Sequence, residues 1–258
     1  MPRSQHGGRH ELGQNFLIHR PTIDRIAGLT ASTCGPILEL GAGDGALTVP
    51  LARLRRPLTA IDIDEHRVAR LARTVPGARV SVGDALSVPF ADPVIVGNLP
   101  FHLTTPILRR LLAEPGWYDA ILLVQWEVAR KRAGVGGGTM MSAQAAPWFE
   151  FELHGRVPAR AFSPMPSIDG GILAIRRRPR PRVPESERRA YDAFVRRAFT
   201  ARGGSLGAAV RAACGGDQGA ATRALQEAGV ASRALPRSVG ADQWSILWRG
   251  VSPRRRRS

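Results

Sequence analysis

Lysine is almost missing from this chain: Lys131 stands alone among 37 basic residues, and all the others are arginine. Cysteine is scarce as well. Cys34 and Cys214 are too few and too far apart for a disulfide framework or a thiolate zinc site. The six histidines are scattered without ligand spacing, which argues against a zinc or iron centre. Long apolar runs are absent too. The longest, Ala120–Val124, falls far short of the roughly 20 residues that cross a bilayer, and Met1-Pro2-Arg3-Ser4-Gln5-His6 lacks the apolar core of a secretion signal. These absences predict a cytoplasmic protein with neither metal nor membrane association. Acidic residues are the last shortfall: 21 against 37 basic ones leave a formal charge of +16. A GC-rich coding sequence accounts for arginine in place of lysine, but it does not account for the excess itself. The excess favours a polyanionic partner, because each cation set against a phosphate releases condensed counterions. Nucleic acid fits better than an anionic membrane surface, since no basic amphipathic helix stands out.

With 258 residues and 43% hydrophobic content, the chain can bury a full core and a small appendage. Short apolar runs predict strands at Ile37–Leu40, Leu58–Ile63, Val80–Val82, Val94–Val96 and Ala120–Val124. Helical spacing marks Ala46–Arg56, His66–Thr74 and Thr105–Ala113. Alternation of strand and helix implies a parallel sheet covered on both faces. Trp148–His154 and Gly171–Ile175 read as later strands, a closing antiparallel pair. From Arg176 to Pro184 proline recurs among arginines, which excludes helix and central strand and predicts an extended basic linker. Beyond it, Glu187–Arg202, Thr222–Ala228 and Gln243–Trp248 read as short helices, and Arg254–Arg257 as a disordered tail. The division expected is a catalytic domain over 1–177 and a small helical domain with the linker and tail over 178–258.

Two motifs carry chemistry. Glu39-Leu40-Gly41-Ala42-Gly43-Asp44-Gly45 follows a strand and opens a helix, so its glycines allow a tight turn and close approach of a ligand to backbone. Asp62, about twenty residues on at the end of a strand, is placed to accept hydrogen bonds from ribose hydroxyls. That much serves NAD and S-adenosylmethionine equally. Gly83-Asp84-Ala85, after the third strand, adds a carboxylate that can accept from an adenine amino group, and this favours the methyl donor. The second motif, Asn98-Leu99-Pro100-Phe101, ends the fourth strand at the edge where such sheets bind ligands. An exocyclic aromatic amine is a poor nucleophile because its lone pair is delocalised into the ring. The Asn98 carboxamide oxygen and the Leu99 carbonyl, fixed by the rigid Pro100, are acceptors that could redirect that lone pair. The Phe101 ring offers a face on which a base can stack. Together the motifs point to an amino methyltransferase that needs neither metal nor covalent intermediate. His102 is not required as a base, since the amine proton becomes acidic only after transfer.

With Gln14-Asn15-Phe16-Leu17 and Phe162-Ser163-Pro164-Met165-Pro166-Ser167-Ile168-Asp169 added, the ordered set from Gln14 to Arg176 resembles the rRNA adenine-N6 methyltransferases. Within them it looks most like the Erm enzymes, which methylate 23S rRNA and confer macrolide–lincosamide–streptogramin B resistance. The segment Phe149–Ala161, the Gly134–Gly138 loop and the arginine-rich tail are similar to the actinobacterial branch. The resemblance implies a Rossmann-like S-adenosylmethionine-dependent sheet with a small C-terminal helical domain. It implies that Asn15 and Leu17 border the methionine end of the cofactor and that Gly41 and Gly43 approach it by backbone. Asp62 would bind the ribose, Asp84 with Ala85 the adenine, and Asn98 would border the cofactor as well as orient the target amine. Phe101 and Phe162 would sandwich the flipped adenosine. Where many members have tyrosine this chain has Phe101, so it offers no hydroxyl for a hydrogen bond there. Gly203-Gly204-Ser205-Leu206-Gly207 departs from the denser basic, leucine-rich pattern of the family's appendage. The implied partner is 23S rRNA, met by a monomer before the ribosome is fully assembled. The alternatives are a small-subunit (16S) rRNA dimethyladenosine transferase and a non-catalytic RNA-binding protein that keeps the fold; the complete motif set disfavours the second. An NAD enzyme is disfavoured by the lack of a catalytic His, Lys or Tyr constellation.

Overall fold

The computed structural model describes residues 15–200 and 205–252. Gln14, Gly203, Gly204 and the tail at 254–257 lie outside the described residues. The strands are β1 (Phe16–Leu17), β2 (Ile37–Leu40), β3 (Leu58–Asp62), β4 (Arg79–Val82), β5 (Val94–Asn98), β6 (Asp119–Gln125), β7 (Phe149–Val157), β8 (Phe162–Ser163) and β9 (Gly170–Arg177). The helices are α1 (Arg20–Ala31), α2 (Thr48–Ala52), α3 (Glu65–Thr74), α4 (Thr104–Ala113), α5 (Trp126–Arg132), α6 (Met140–Ala145), α7 (Arg188–Thr200), α8 (Leu206–Ala213), α9 (Gln218–Glu227) and α10 (Ala241–Val251).

Seven strands form one sheet in the order β4-β3-β2-β5-β6-β9-β7, and β1 pairs antiparallel with β8. The pairs β4–β3, β3–β2, β2–β5 and β5–β6 are parallel. Their sequences explain this. All four residues of β2 are buried, as are Val94–Val96 of β5 and Ala120–Val124 of β6, and strands covered on both faces read as unbroken apolar runs. β2 has β3 on one side and β5 on the other, so the chain reverses its winding direction there. A crevice opens at the carboxyl ends of strands at such a point.

All five expected parallel strands are present, and the expected closing pair is β9 beside β7 at the sheet edge. The helix expected over Ala46–Arg56 shrinks to α2. Gly45 at φ 85° delays its start, Pro50 lacks an amide donor, and Arg55 at φ 54° leaves the helical region. Helices α1, α5, α6 and α8 carried too weak a periodic signal to be expected. In α1 the inward positions include Thr22 and Thr30 beside Ile23 and Ile26, and β-branched threonine blurs the apolar stripe.

The chain divides into two compact units. One comprises the described residues up to Ala129 with Leu153–Ile175, the other Arg130–Glu152 with the described residues from Arg176 onward. In the second unit Trp148, Tyr191, Phe194, Trp244 and Trp248 build an aromatic core of edge-to-face and tilted contacts at 5.5–6.0 Å. The stretch expected as an extended linker is anchored there. Arg178 N donates to Trp148 O, Arg182 N donates to Pro147 O, and Val183 is fully buried. Arg178 also pairs with Glu150, and Arg182 with Asp242.

Gly97 is fixed by packing: a Cβ there would come within 2.7 Å of the Leu40 carbonyl oxygen on β2. Overpacking of this kind costs about 1–3 kcal/mol. Gly97→Ala is therefore expected to lower Tm by about 3–10 °C, read by calorimetry. An unchanged Tm would mean that β2 and β5 tolerate a wider spacing than this.

Candidate functional site

The local sequence brings two motifs together at the crevice. The glycine loop leaves β2 with Gly41 at φ 71° and Gly43 at φ 53°. A Cβ on Gly41 would sit 3.6 Å from the Asn98 carbonyl oxygen, and one on Gly43 3.2 Å from the Phe16 ring. β1, held against β8 by the pairs Phe16↔Ser163 and Leu17↔Phe162, carries the Asn15–Leu17 segment to the same place. A small recess of about 40 Å³ is lined by Asn15, Phe16, Gly41, Gly43, Asp62 and Asn98–Phe101. A larger cavity of about 310 Å³ shares Phe16, Gly41, Gly43 and Asn98 with it and adds Leu17 and Glu39.

Asn98 ends β5, and its Nδ2 donates to the Asn15 carbonyl oxygen at 2.8 Å. With the amide nitrogen so occupied, the carboxamide orientation is set and its oxygen is the acceptor that remains. Leu99 N donates to Leu123 O at 3.0 Å, which fixes the peptide, and the Pro100 carbonyl is taken by Leu103 N at 2.9 Å. Phe101 opens the short turn that leads into α4.

Asp62 is 5% exposed at the end of β3. Its Oδ2 accepts from Gly43 N at 2.7 Å and its Oδ1 from Asp64 N at 2.9 Å. It thus clasps the glycine loop, and a carboxylate has lone pairs left for further donors. Asp84 and Ala85 do not join this group. Neither lines the two cavities; Asp84 Oδ1 caps its own turn through Leu86 N, and Ala85 O accepts from Arg110. Phe162 is 2% exposed and meets Phe101 edge to face, with centroids 6.0 Å apart and planes at 74°. Rings in direct edge contact leave no slot between them for a base. The loop after Phe162 is tied back by Asp169, whose Oδ1 accepts from Ala159 N and Oδ2 from Arg156, and the Ala159 amide bond above all holds that carboxyl below the usual range.

Two residues at the site belong to the sequence motifs but carried no role there. Phe16 lines both cavities, lies under the Arg67 guanidinium at 4.2 Å, and packs on Gly43. Its place between Asn15 and Leu17, inside the Gln-Asn-Phe-Leu motif, was the available signal. Glu39 is 1% exposed, and its Oε2 has no hydrogen-bond partner among the described residues. Burial pushes its carboxyl up to about 8; the nearby Asp62 charge adds to this and Thr48 partly offsets it. An acid inside an otherwise apolar strand was the clue.

An open α/β sheet wound around a switch point, with a glycine loop and an Asn-Leu-Pro-Phe turn at its carboxyl edge, defines a Rossmann-like methyltransferase. The particular family follows from comparison: residues 5–244 match the family model of ribosomal RNA adenine dimethylases, and the chain belongs to that family. It is 52% identical over 208 residues, 79% of this chain and 82% of the relative, to an rRNA adenine N-6-methyltransferase of Corynebacterium diphtheriae. It is 47% identical over 247 residues, 94% of this chain and 79% of the relative, to the mycinamicin-resistance protein MyrB of Micromonospora griseorubida. Among solved structures, the 23S rRNA methyltransferase ErmE matches with a TM-score of 0.83 and 32% identity, over 92% of this chain and 99% of that one.

Proposed function

We propose that this enzyme methylates N6 of one adenosine in 23S rRNA, with S-adenosylmethionine as donor, and thereby confers macrolide–lincosamide–streptogramin B resistance. The observation that carries the reading is Asn98, whose carboxamide is locked by Asn15 and whose backbone carbonyl lies against the glycine loop. The names of the similar proteins favour 23S rRNA over 16S rRNA as the substrate. When bound, S-adenosylmethionine supplies a methyl group already activated on a sulfonium. The residues present fit such a cationic, amino-acid-bearing nucleoside: a cavity of about 310 Å³, a glycine cradle, and a buried Glu39 oxygen lacking a partner. Leu17 lines that cavity and Asn15 the recess beside it. Asp62 would add ribose hydroxyls to the donors it already has. Asp84 Oδ2 would accept from the adenine amino group while Oδ1 keeps its bond to Leu86 N, with Ala85 beside it. Asn98 Oδ1 and the Leu99 carbonyl would accept from the amine and turn its lone pair toward the methyl group. Phe101 would stack on the extruded base, and Phe162 would support Phe101 from its edge. The stretch 1–177 would carry this chemistry, with 178–258 as the small helical appendage. Because the base must leave its helix to reach Asn98, we infer action on rRNA before assembly encloses it, by the monomer that the family resemblance implies.

Primer extension across 23S and 16S rRNA from cells expressing the protein tests the assignment. One expression-dependent stop at a 23S adenosine, with raised macrolide resistance, is expected. A stop confined to 16S rRNA would move the enzyme to ribosome assembly.

Glu39 gives the site a pH dependence. A bound cation favours the ionised carboxylate, so cofactor affinity should rise from pH 6 toward the folded value of about 8 and binding should release a proton. Stability runs the other way. The folded state holds a proton that the unfolded chain gives up above its ordinary value of 4.5, so stability falls as pH rises from there to about 8. Glu39→Gln should flatten both trends and weaken cofactor binding, as read by calorimetry in buffers of different ionisation enthalpy. Proton release unchanged in Glu39→Gln would assign it to another group.

A further inference from the structure

A cavity more than twice the size of the one at the glycine loop lies wholly within the second unit, with a volume of about 710 Å³. The methyl-transfer chemistry does not use it. Three guanidinium groups line it, those of Arg132, Arg178 and Arg237, against the single carboxylate of Glu150. Arg178 answers that carboxylate directly. Arg132 is steadied by Nη1 donating to the Thr139 hydroxyl at 2.5 Å, at the start of α6. Arg237 is exposed, and its guanidinium has no carboxylate partner among the described residues. The lining therefore carries a net positive charge.

Aromatic residues line the same cavity. Trp244 and Phe149 are buried at 1% exposure each, with Trp244 packed on Phe194 and Phe199 and Phe149 under Arg177, and Phe151 is half-buried. The rim is the Gly134–Gly138 loop. Gly134, Gly136 and Gly137 all take left-handed φ values of 78–112°, and Gly138 N donates to the Arg237 carbonyl at 2.7 Å. A Cβ on Gly137 would come within 3.3 Å of that same oxygen. The loop is thus fixed to the 237–240 segment by backbone alone, and it leaves a low rim over which a sugar–phosphate chain can pass closely.

Cations beside an apolar aromatic wall suit a phosphate joined to a flat base. An acidic peptide would use the cations and leave the half-buried Phe151 ring unused. A base enters such a cavity only when it is unpaired. We propose that this cavity binds one unpaired nucleotide of the rRNA substrate, with its phosphate at Arg237 and Arg132 and its base on Phe151. This rests on the reading of the protein as an rRNA methyltransferase and adds to it a second RNA-binding subsite in the second unit.

The test uses the full chain and three variants, Arg237→Glu, Arg237→Lys and Phe151→Ala. The probes are fluorescently labelled, protein-free 23S rRNA fragments nested around the methylated adenosine. Binding is read by anisotropy, beside methyl-transfer kinetics and a cofactor titration that confirms folding. For the longest fragment, Arg237→Glu should raise Kd and KM about tenfold or more, with kcat and cofactor affinity unchanged. Its log–log salt slope should be shallower by about 0.7 for each phosphate that is no longer neutralised. Phe151→Ala should weaken binding about tenfold, as loss of one base–aromatic stack does, and Arg237→Lys should stay near wild type. The effects should vanish as the fragment is trimmed toward the target adenosine. Wild-type Kd and slope in both Arg237→Glu and Phe151→Ala would overturn the proposal. So would competition by polyglutamate as strong as that by a single-stranded RNA of equal charge. A wild-type protein that binds rRNA but methylates neither 23S nor 16S RNA would instead remove the functional reading, while the anisotropy series still reports on the cavity.

Discussion

Replacing Asn98 by alanine is expected to slow methyl transfer by about a hundred- to a thousandfold, the loss typical when a preorganised polar group at a reacting centre is removed. The amide does two things at once. Its nitrogen is spent on Asn15 O, which pins the segment before β1, and its oxygen would accept from the target amine in the proposed complex. Alanine abolishes both, so the amine keeps its lone pair in conjugation with the ring and the Asn15 carbonyl loses its donor. Asn98→Asp separates the two: the acceptor survives while the bond to Asn15 O becomes a repulsion between oxygens. That variant should also fall well below wild type. Cofactor affinity should drop far less than kcat in Asn98→Ala, because Asn98 is only one of many residues lining the larger cavity. Tritiated methyl transfer to protein-free 23S rRNA, run beside a cofactor titration, reads both quantities. A normal kcat in Asn98→Ala would place amine activation elsewhere.

The second large effect is expected at Phe101. Stacking of a base on an aromatic side chain is worth about 1–3 kcal/mol, and extrusion of the base from its helix costs a few kcal/mol that the pocket must recover. Phe101→Ala should therefore lose about ten- to a hundredfold in kcat/KM, from the stacking term alone. The edge contact between Phe101 and Phe162 makes the expectation more specific. Phe162 is buried, so it supports Phe101 more than it faces the ligand, and Phe162→Leu should cost stability as well as activity. Phe101→Tyr keeps the ring face and should retain most activity. Equal rates for Phe101→Ala and the wild type would mean that this ring merely fills the fold.

The parallel strands were legible because burial on both faces leaves nothing but apolar residues in them: Ile37–Leu40, Val94–Val96 and Ala120–Val124 admit little else apart from Glu39. The carboxyl-edge location of Asn98–Phe101 was legible from the same runs. What the sequence hid was set by tertiary contact. Nothing local shows that Asp62 spends its carboxylate on Gly43 and Asp64, that Asp84 turns back on Leu86, or that Phe162 meets Phe101 by its edge. The proline-and-arginine stretch after Ile175 looked solvated because its composition says so. Its anchoring depends on carbonyls of Pro147 and Trp148 some thirty residues earlier, which no window of sequence contains.

The excursion at 130–152 constrains how genes of this kind can exchange parts. Tyr191 of α7 donates its hydroxyl to Ala143 O, Gln144 donates to Asp192 O, and Arg178 is held by Ala146 O and Glu150, so the excursion and the segment after Ile175 form one packed body. A single recombination crossover near codon 177 would bring in a foreign α7–α10 without the 140s helix and strand it was selected to pack against. Two crossovers, or donors matched over both stretches, are needed to keep the aromatic core intact. Hybrid genes joined at that one point should yield poorly folded protein even where the transferred chain is itself sound.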